Sequence, residues 1–277
     1  MTSSGPEERG ASITPPISGA TRLYAVLGDP VAQVRAPALL NALFGRLGRD
    51  AVLVPVLATP DDFTDVVGGL KRVGNLDGML FTVPHKAAAA RLADRRSTVV
   101  TVAGGANAMR REPDGSWSAE NFDGAGFVRG LAAAGHVLRG RRVTVSGAGG
   151  AGSSIAVALL DAGVGGLSLY DPDAERLAAL LKRLDEHWPG RSVGTEAPEL
   201  ELADIVVNAT PLGMRPDDPL PFDPARVPPG RVVADIVMKP RLTRLLKRSA
   251  SLGLTVHPGI HMLDAQLDSY RHFFRLG

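Results

Sequence analysis

The 277-residue chain contains no cysteine, which excludes thiol catalysis, a disulfide framework and zinc held on thiolates. That absence fits a reducing compartment, and a cytoplasmic location is the expectation. Aromatic residues are few, at 5%, and no block of Lys or Arg is interleaved with them, so no nucleic-acid partner is expected. No apolar run approaches the roughly 20 residues that span a bilayer, so no membrane partner is expected either. Residues 1–17 are rich in Ser, Pro, Gly and Glu and lack an apolar stretch, which predicts a disordered tail and not a secretory signal. Lysine is scarce: five stand against twenty-six arginines.

What remains is ordinary globular material, 44% apolar and 22% charged, with a formal net charge of +2. The pI near 9.1 reflects arginine abundance and not a basic arm. A chain of this length is long for one domain and comfortable for two. A sizeable core can form without a covalent or metal staple, and no metal site is expected.

Strand-length apolar runs alternate with longer helical patterns through most of the chain. Residues 23–27 read as a buried strand entering a turn at Gly28-Asp29-Pro30. Residues 37–47 read as a helix with Leu39, Leu40, Leu43 and Leu47 on one face. A strand at 51–57, a helix at 61–70 and a strand at 76–83 follow, which is the rhythm of βαβ units and a parallel sheet. The stretch 104–122 breaks that rhythm, and Pro113-Asp114-Gly115 predicts a hairpin turn within it. A helix over 123–134 ends at Gly135. From Arg142 a second series begins, with strands at 143–146, 167–170, 205–207, 232–236 and 254–256 and helices at 153–162 and 174–184. A last helix is expected over 262–273. The fold class is α/β in two domains, 18–125 and 126–261, with the boundary in the helix near 124–138.

Gly147-Ala148-Gly149-Gly150-Ala151-Gly152 is G-x-G-x-x-G, a pattern common in loops and meaningful only in context. Here an apolar strand precedes it and an alanine-rich helix follows. Gly147 would permit the tight turn, Gly149 would let backbone N–H groups approach a pyrophosphate, and Gly152 would allow close helix–strand packing. The phosphates would sit on the helix N-terminus, where free N–H groups and the dipole favour an anion. Asp171 lies twenty-four residues beyond Gly147, directly after the strand at 167–170. An acidic group there accepts hydrogen bonds from the ribose of NAD and repels the 2′-phosphate of NADP. Asp171-Pro172-Asp173 equally reads as a helix start, with Asp171 as N-cap and Pro172 at the first position. The two roles are compatible. NAD is the expected cofactor, ahead of NADP.

Further segments make the chain resemble the shikimate/quinate dehydrogenase family from about Leu23 to Leu267. In family order they are Gly28-Asp29-Pro30 with Pro37, Thr82-Val83-Pro84-His85-Lys86, Asn107, Asn121-Phe122-Asp123-Gly124, Asn208-Ala209-Thr210-Pro211-Leu212-Gly213-Met214, and Gly259-Ile260-His261-Met262-Leu263-Asp264-Ala265-Gln266. The resemblance implies an N-terminal α/β substrate domain, a C-terminal Rossmann dinucleotide-binding domain, and a terminal helix (262–277) packing back onto the first. It implies an active site in the cleft between them. The activity would be an NAD(P)-dependent interconversion of a ring hydroxyl and a ketone on a shikimate- or quinate-like acid. That small molecule is the expected partner, with the protein a monomer or homodimer. Lys86 and Asp123 would meet the reacting hydroxyl. Alcohol oxidation needs a base for the hydroxyl proton while hydride leaves the carbon. Arginine could not stand in for this lysine, because a guanidinium is not deprotonated near neutral pH. Asn208, Ala209, Thr210 and Met214 would line the nicotinamide side, with Gly259 beside them; a plain strand-to-loop turn is the alternative.

Around the substrate the chain departs from the family pattern. Where the family binds the substrate carboxylate with two hydroxyl residues in a segment like His-Ser-x-Ser-Pro, this chain has Gln33-Val34-Arg35-Ala36-Pro37. A carboxylate buried against Val34 and Ala36 is costly unless a cation answers it. Arg35 is the candidate, by bidentate pairing, and reads equally well as a solvated surface residue. Leu80, Phe122 and Met238 stand where the family has Asn, Thr and Tyr. Thr82, Asn107, Asn121 and Gln266 remain as hydroxyl and amide contacts. Two readings compete with the leading one. The first keeps the chemistry on an analogue without a conventional carboxylate contact, and the second is a non-catalytic NAD-binding regulatory module. Lys86 and Asp123 together argue against the module, which has no use for both.

Overall fold

The computed structural model describes residues 17–277; the tail expected at 1–17 lies outside the described residues except for the exposed Ile17. Two six-stranded sheets organise the chain. The first holds β1 (Arg22–Gly28), β2 (Ala51–Leu57), β3 (Leu76–Phe81), β4 (Arg95–Arg96), β5 (Ala108–Arg111) and β6 (Trp117–Glu120), in the order β2-β1-β3-β5-β6-β4. Helices α1 (Ala36–Arg46) and α2 (Phe63–Leu70) return the chain between β1, β2 and β3, which pair in parallel. β5 and β6 form the expected hairpin, and β5 lies antiparallel to β3, so this sheet is mixed and not wholly parallel. Alternation along β1 explains its two-sided burial. Ala25 and Leu27 join Phe63, Met79 and Trp117 on one face, while Tyr24 and Val26 join Leu40 and Phe44 on the other.

The second sheet is parallel throughout: β7 (Arg142–Ser146), β8 (Gly166–Tyr170), β9 (Ser192–Gly194), β10 (Ile205–Asn208), β11 (Val232–Asp235) and β12 (Thr255–Pro258), in the order β12-β11-β10-β7-β8-β9. Strands buried on both faces need near-continuous apolar runs, and these have them. Val143, Val145, Ile205 and Val207 face one cluster, and Val206 and Val233 face another that includes Leu245 and Leu246. The order reverses between β10 and β7. In open α/β sheets that reversal opens a crevice at the C-terminal strand ends, where ligands bind.

Several helices complete the fold: α3 (Lys86–Leu92), α4 (Thr98–Ala103), α5 (Asp123–Ala133), α6 (Gly150–Asp161), α7 (Ala174–His187), α8 (Arg244–Ser251), α9 (Ile260–Asp264) and α10 (Leu267–Phe273). α3, α4, α8, β4, β9 and a short 3-10 turn at Pro224–Arg226 had not been expected. The single helix expected over 262–273 is two, α9 and α10, separated at Ala265 and Gln266. α10 packs back onto the first sheet as implied, with Tyr270 and Phe274 in the cluster of Tyr24, Leu40 and Phe44. α4 carries the first domain onto the second, where Arg183 of α7 donates to Val102 O at 2.7 Å. Among the described residues, no helix is long and apolar enough to cross a membrane.

Candidate active site

Lys86 opens α3, one turn beyond the C-terminal end of β3. The turn before it is pinned by His85, which is buried, stacks on Phe63 (centroids 4.2 Å apart) and donates from Nε2 to Ala58 O at 2.8 Å. The Lys86 stem lies against Gly105 and Gly150; a Cβ on Gly150 would stand 2.9 Å from Lys86 Cβ. The cofactor loop and the lysine are thus in direct contact. Lys86 Nζ pairs with Asp123 Oδ2, with the two side chains only 14% and 6% exposed.

Asp123 begins α5, and its second oxygen is held by two amides. Oδ1 accepts from Asn107 Nδ2 at 2.9 Å and from Gln266 Nε2 at 3.3 Å. Asn107 Oδ1 accepts the Phe122 backbone N–H at 3.0 Å. Gln266 Oε1 accepts from the Tyr270 hydroxyl at 2.6 Å, and that hydroxyl accepts from Asn107 Nδ2 at 3.3 Å. Complete burial, with Asp123 nearby, pushes the Tyr270 phenol well above its ordinary range, so it stays a neutral donor. Sequence reasoning missed Tyr270. Asn121, expected to contact substrate, has its side chain engaged within the chain. Its Nδ2 donates to Gly105 O at 2.9 Å and to Gly150 O at 3.3 Å, and its Oδ1 accepts from Asp123 N. It therefore ties the first domain to the cofactor loop.

The expected carboxylate end is apolar. Val34, Ala36, Leu80 and Phe122 belong to one cluster with Leu267 and Phe273 of α10, and Phe122 meets Tyr270 edge-on at 5.4 Å. Arg35, at the N-cap of α1, is exposed. Thr82 is half-buried where β3 gives way to the Lys86 turn.

The loop after β7 fits a dinucleotide. Gly147 adopts φ +108°, a conformation L side chains rarely take, and a Cβ on Gly152 would lie 1.9 Å from Gly147 O. Helix α6 starts at Gly150, three residues before the expected 153, with Gly149 as its N-cap; Gly149, Gly150 and Ala151 therefore sit at the anion-binding end of the helix. Ala148 N–H is not free for phosphate, because it donates to Asp171 Oδ2 at 2.7 Å. Asp171 does not cap α7. Asp173 does, accepting from Arg176 N, and the helix starts at Ala174, after Pro172. The strand-end carboxylate clamps the glycine loop, so the chain must run two residues further before it can turn. Asp171 borders an open pocket of about 590 Å³ with Tyr170, Pro172 and Thr195. Arg176 reaches back to both Asp171 (3.4 Å) and Asp173 (2.8 Å).

In the segment expected to line the nicotinamide, buried Asn208 uses its amide to shape the loop. Nδ2 donates to Leu212 O and Asp235 Oδ1, and Oδ1 accepts from the Thr210 hydroxyl and N–H. Burial raises the Asp235 carboxyl above its ordinary range, while Thr243, Val237 N–H and Asn208 hold it. Ala209 backs the glycine turn, packing against Gly147 and Gly152. Met214 is 40% exposed. Gly259 packs against the Ile236 carbonyl, where a Cβ would come within 2.5 Å.

A glycine turn beneath a helix N-terminus, touching a part-buried lysine–aspartate pair, is the arrangement expected of a nicotinamide-dependent oxidoreductase. Comparison with known proteins narrows that class. Residues 26–109 match the shikimate dehydrogenase substrate binding domain. The NADP(+) shikimate dehydrogenase of Rubrobacter xylanophilus is 38% identical over 256 residues, 90% of this chain and 89% of that protein. The structure of Corynebacterium glutamicum quinate dehydrogenase with NAD is 30% identical with TM-score 0.80, over 91% of this chain and 93% of that one. Ligand-free 5-ketofructose reductase from a Gluconobacter strain is 26% identical with TM-score 0.79, over 92% of each chain. The chain belongs to the shikimate dehydrogenase family and is an oxidoreductase of the shikimate/quinate dehydrogenase type. The non-catalytic module is set aside.

Proposed function

We propose that the protein interconverts a ring hydroxyl and a ketone on a shikimate- or quinate-like cyclic hydroxy acid, with Lys86 and Asp123 exchanging the hydroxyl proton. The observation that carries this reading is the part-buried Lys86–Asp123 pair lying against the cofactor loop at Gly150. A bound nicotinamide supplies the hydride acceptor or donor. In oxidation the hydroxyl proton passes to the Lys86–Asp123 pair, and in reduction the pair returns it to the carbonyl oxygen. Asn107 and Gln266 hold Asp123 in line, and Thr82, just past the end of β3, is the proposed contact for a substrate hydroxyl.

NAD ahead of NADP is the cofactor reading. Asp171 supports it: the carboxylate lies at the end of β8, and Arg176, the cation a 2′-phosphate would need, is already shared between Asp171 and Asp173. The relatives weigh the other way and favour NADP, since the Rubrobacter enzyme and the further curated relatives alike are named for NADP(+); the NAD bound to the quinate dehydrogenase supports the proposal. A division into a substrate domain at 18–125 and a cofactor domain at 126–261 belongs to the same reading. So do a cytoplasmic location and a monomeric or homodimeric state.

A second substrate reading is favoured by the apolar wall of Val34, Ala36 and Leu80: a neutral polyol or hydroxyketone in place of an acid. The likeness to 5-ketofructose reductase supports it. Following NAD(P)H formation with shikimate, quinate, aminoshikimate and uncharged polyols tests both. Turnover of the acids supports the first reading, turnover confined to the uncharged compounds supports the second, and turnover of none contradicts both.

A further inference from the structure

We propose that Tyr270 is a positioning residue that fixes the direction of the Gln266 side-chain amide and so determines what Gln266 presents to Asp123. The proposal rests on the assignment of Lys86 and Asp123 to the hydroxyl proton. Asp123 Oδ1 is held by two amides that are not equally secured. Asn107 is fixed by the backbone, since the Phe122 N–H donates to its Oδ1 and leaves its Nδ2 for Asp123. Gln266 gains its direction from Tyr270, whose hydroxyl donates to Oε1 at 2.6 Å.

Turning the Gln266 amide by 180° changes its shape little but exchanges donor for acceptor. Oε1 would then face Asp123 Oδ1, acceptor against acceptor. The Tyr270 proton prevents that turn, and its own direction is forced. The hydroxyl's other neighbour, Asn107 Nδ2, is a donor, so the phenol proton must point to Gln266. Direction is therefore passed from the Phe122 N–H through Asn107 and Tyr270 to Gln266 and Asp123. Tyr270 is buried, and its ring is held edge-on by Phe122 at 5.4 Å and stacked near Phe274 at 6.2 Å. The docking of α10 onto the first sheet thus reaches the proton pair through Tyr270 and Gln266. Among the described residues, Lys86 of α3, Asp123 of α5 and Tyr270 of α10 are the titratable groups joined in this network.

The test uses the full chain and two readouts. In ¹⁵N-labelled protein the Gln266 side-chain amide, assigned by its disappearance in Gln266→Met, should be well dispersed and slow to exchange. Tyr270→Phe should move it toward the shifts and exchange of a free glutamine. With any turned-over substrate, Tyr270→Phe should lower kcat about tenfold with KM within about twofold, and should add nothing in a Gln266→Met background. Unchanged amide resonances, or an equal loss of kcat in both backgrounds, would overturn the proposal. Should Tyr270→Phe not accumulate, Gln266→Glu replaces it: this keeps an acceptor for Tyr270 and removes the donor to Asp123, so an unchanged kcat would also overturn the idea. Lys86→Ala in the same assay separates the two layers. Retained turnover there defeats the proton-pair assignment, while the amide spectrum, which needs no substrate, judges Tyr270 alone.

Discussion

On the cofactor side of the cleft, the loop after β7 works through backbone: a left-handed Gly147, a Gly152 with no room for a side chain, and the opening turn of α6. On the substrate side, the working groups are side chains gathered from α3, the segment before β5, α5, the junction before α10 and α10 itself. A backbone site can be lost by one added methyl group, because its glycines sit against close neighbours. A side-chain site can be re-lined residue by residue while its reactive pair stays in place. This chain shows both behaviours together. Lys86 and Asp123 are gripped, while the wall formed by Val34, Ala36 and Leu80 is apolar. On the proposed function, cofactor binding rests on the backbone side and substrate identity on the side-chain wall.

The largest effect expected from this contrast is in cofactor choice. A 2′-phosphate beside Asp171 meets like charge and loses a ribose hydrogen bond. Two such losses should favour NAD by about 10²-fold in kcat/KM, measured with both cofactors on one substrate. Equal efficiency, or a preference for NADP, would reduce Asp171 to a clamp on the Ala148 N–H.

A smaller effect is expected on the substrate side. Val34→Ser with Ala36→Ser should lower the KM for shikimate about tenfold if the missing hydroxyls are what weaken carboxylate binding. A micromolar KM for shikimate in the parent enzyme would remove that argument and return Arg35 to consideration as the carboxylate anchor.

A further effect is on stability and lies away from the cleft. His257 is buried, has a buried Nε2 without a partner, and lies near His261 and His136. Burial chiefly, then the two neighbouring imidazoles, lowers its pKa to about 4. The unfolded chain takes a proton on this residue near pH 6.5, whereas the folded one resists until about pH 4. Its contribution to stability is therefore complete above pH 6.5 and declines as the pH falls toward 4. Between pH 7 and 5 the loss should reach up to about 2 kcal/mol. Chemical denaturation of the parent and of His257→Leu at both pH values should show the steeper fall in the parent. Equal slopes would mean that other groups govern the acid limb.

Legibility in the sequence follows the same divide. β1, β2, β7 and β8 were readable because buried strands leave continuous apolar runs, and the glycine loop because its residues are adjacent. α4 was not, since Thr98-Val99-Val100-Thr101-Val102 is β-branched and helical only through its Ser97 cap and its packing on α6 and α7. α8 escaped notice for a different reason: its eight residues bury only Leu245, Leu246 and Ser249. The α7 cap was placed two residues early because Asp171 and Asp173 are both sound caps in sequence. Only the Ala148 N–H, brought in from another loop, decides between them. Lys86, Asp123 and Gln266 were visible through family resemblance. Tyr270 was not, because its partner Asn107 is 163 residues away and only the docking of α10 brings them together.

The claim on which the rest depends is that Lys86 and Asp123 handle the hydroxyl proton. Its most direct test is Lys86→Ala, assayed for turnover on whichever compound the parent oxidises, with cofactor affinity measured in parallel. The expected result is a fall in kcat of about 10² or more with dinucleotide binding nearly unchanged. Turnover within a few-fold of the parent would contradict the account, because a proton pair without its lysine could not sustain it.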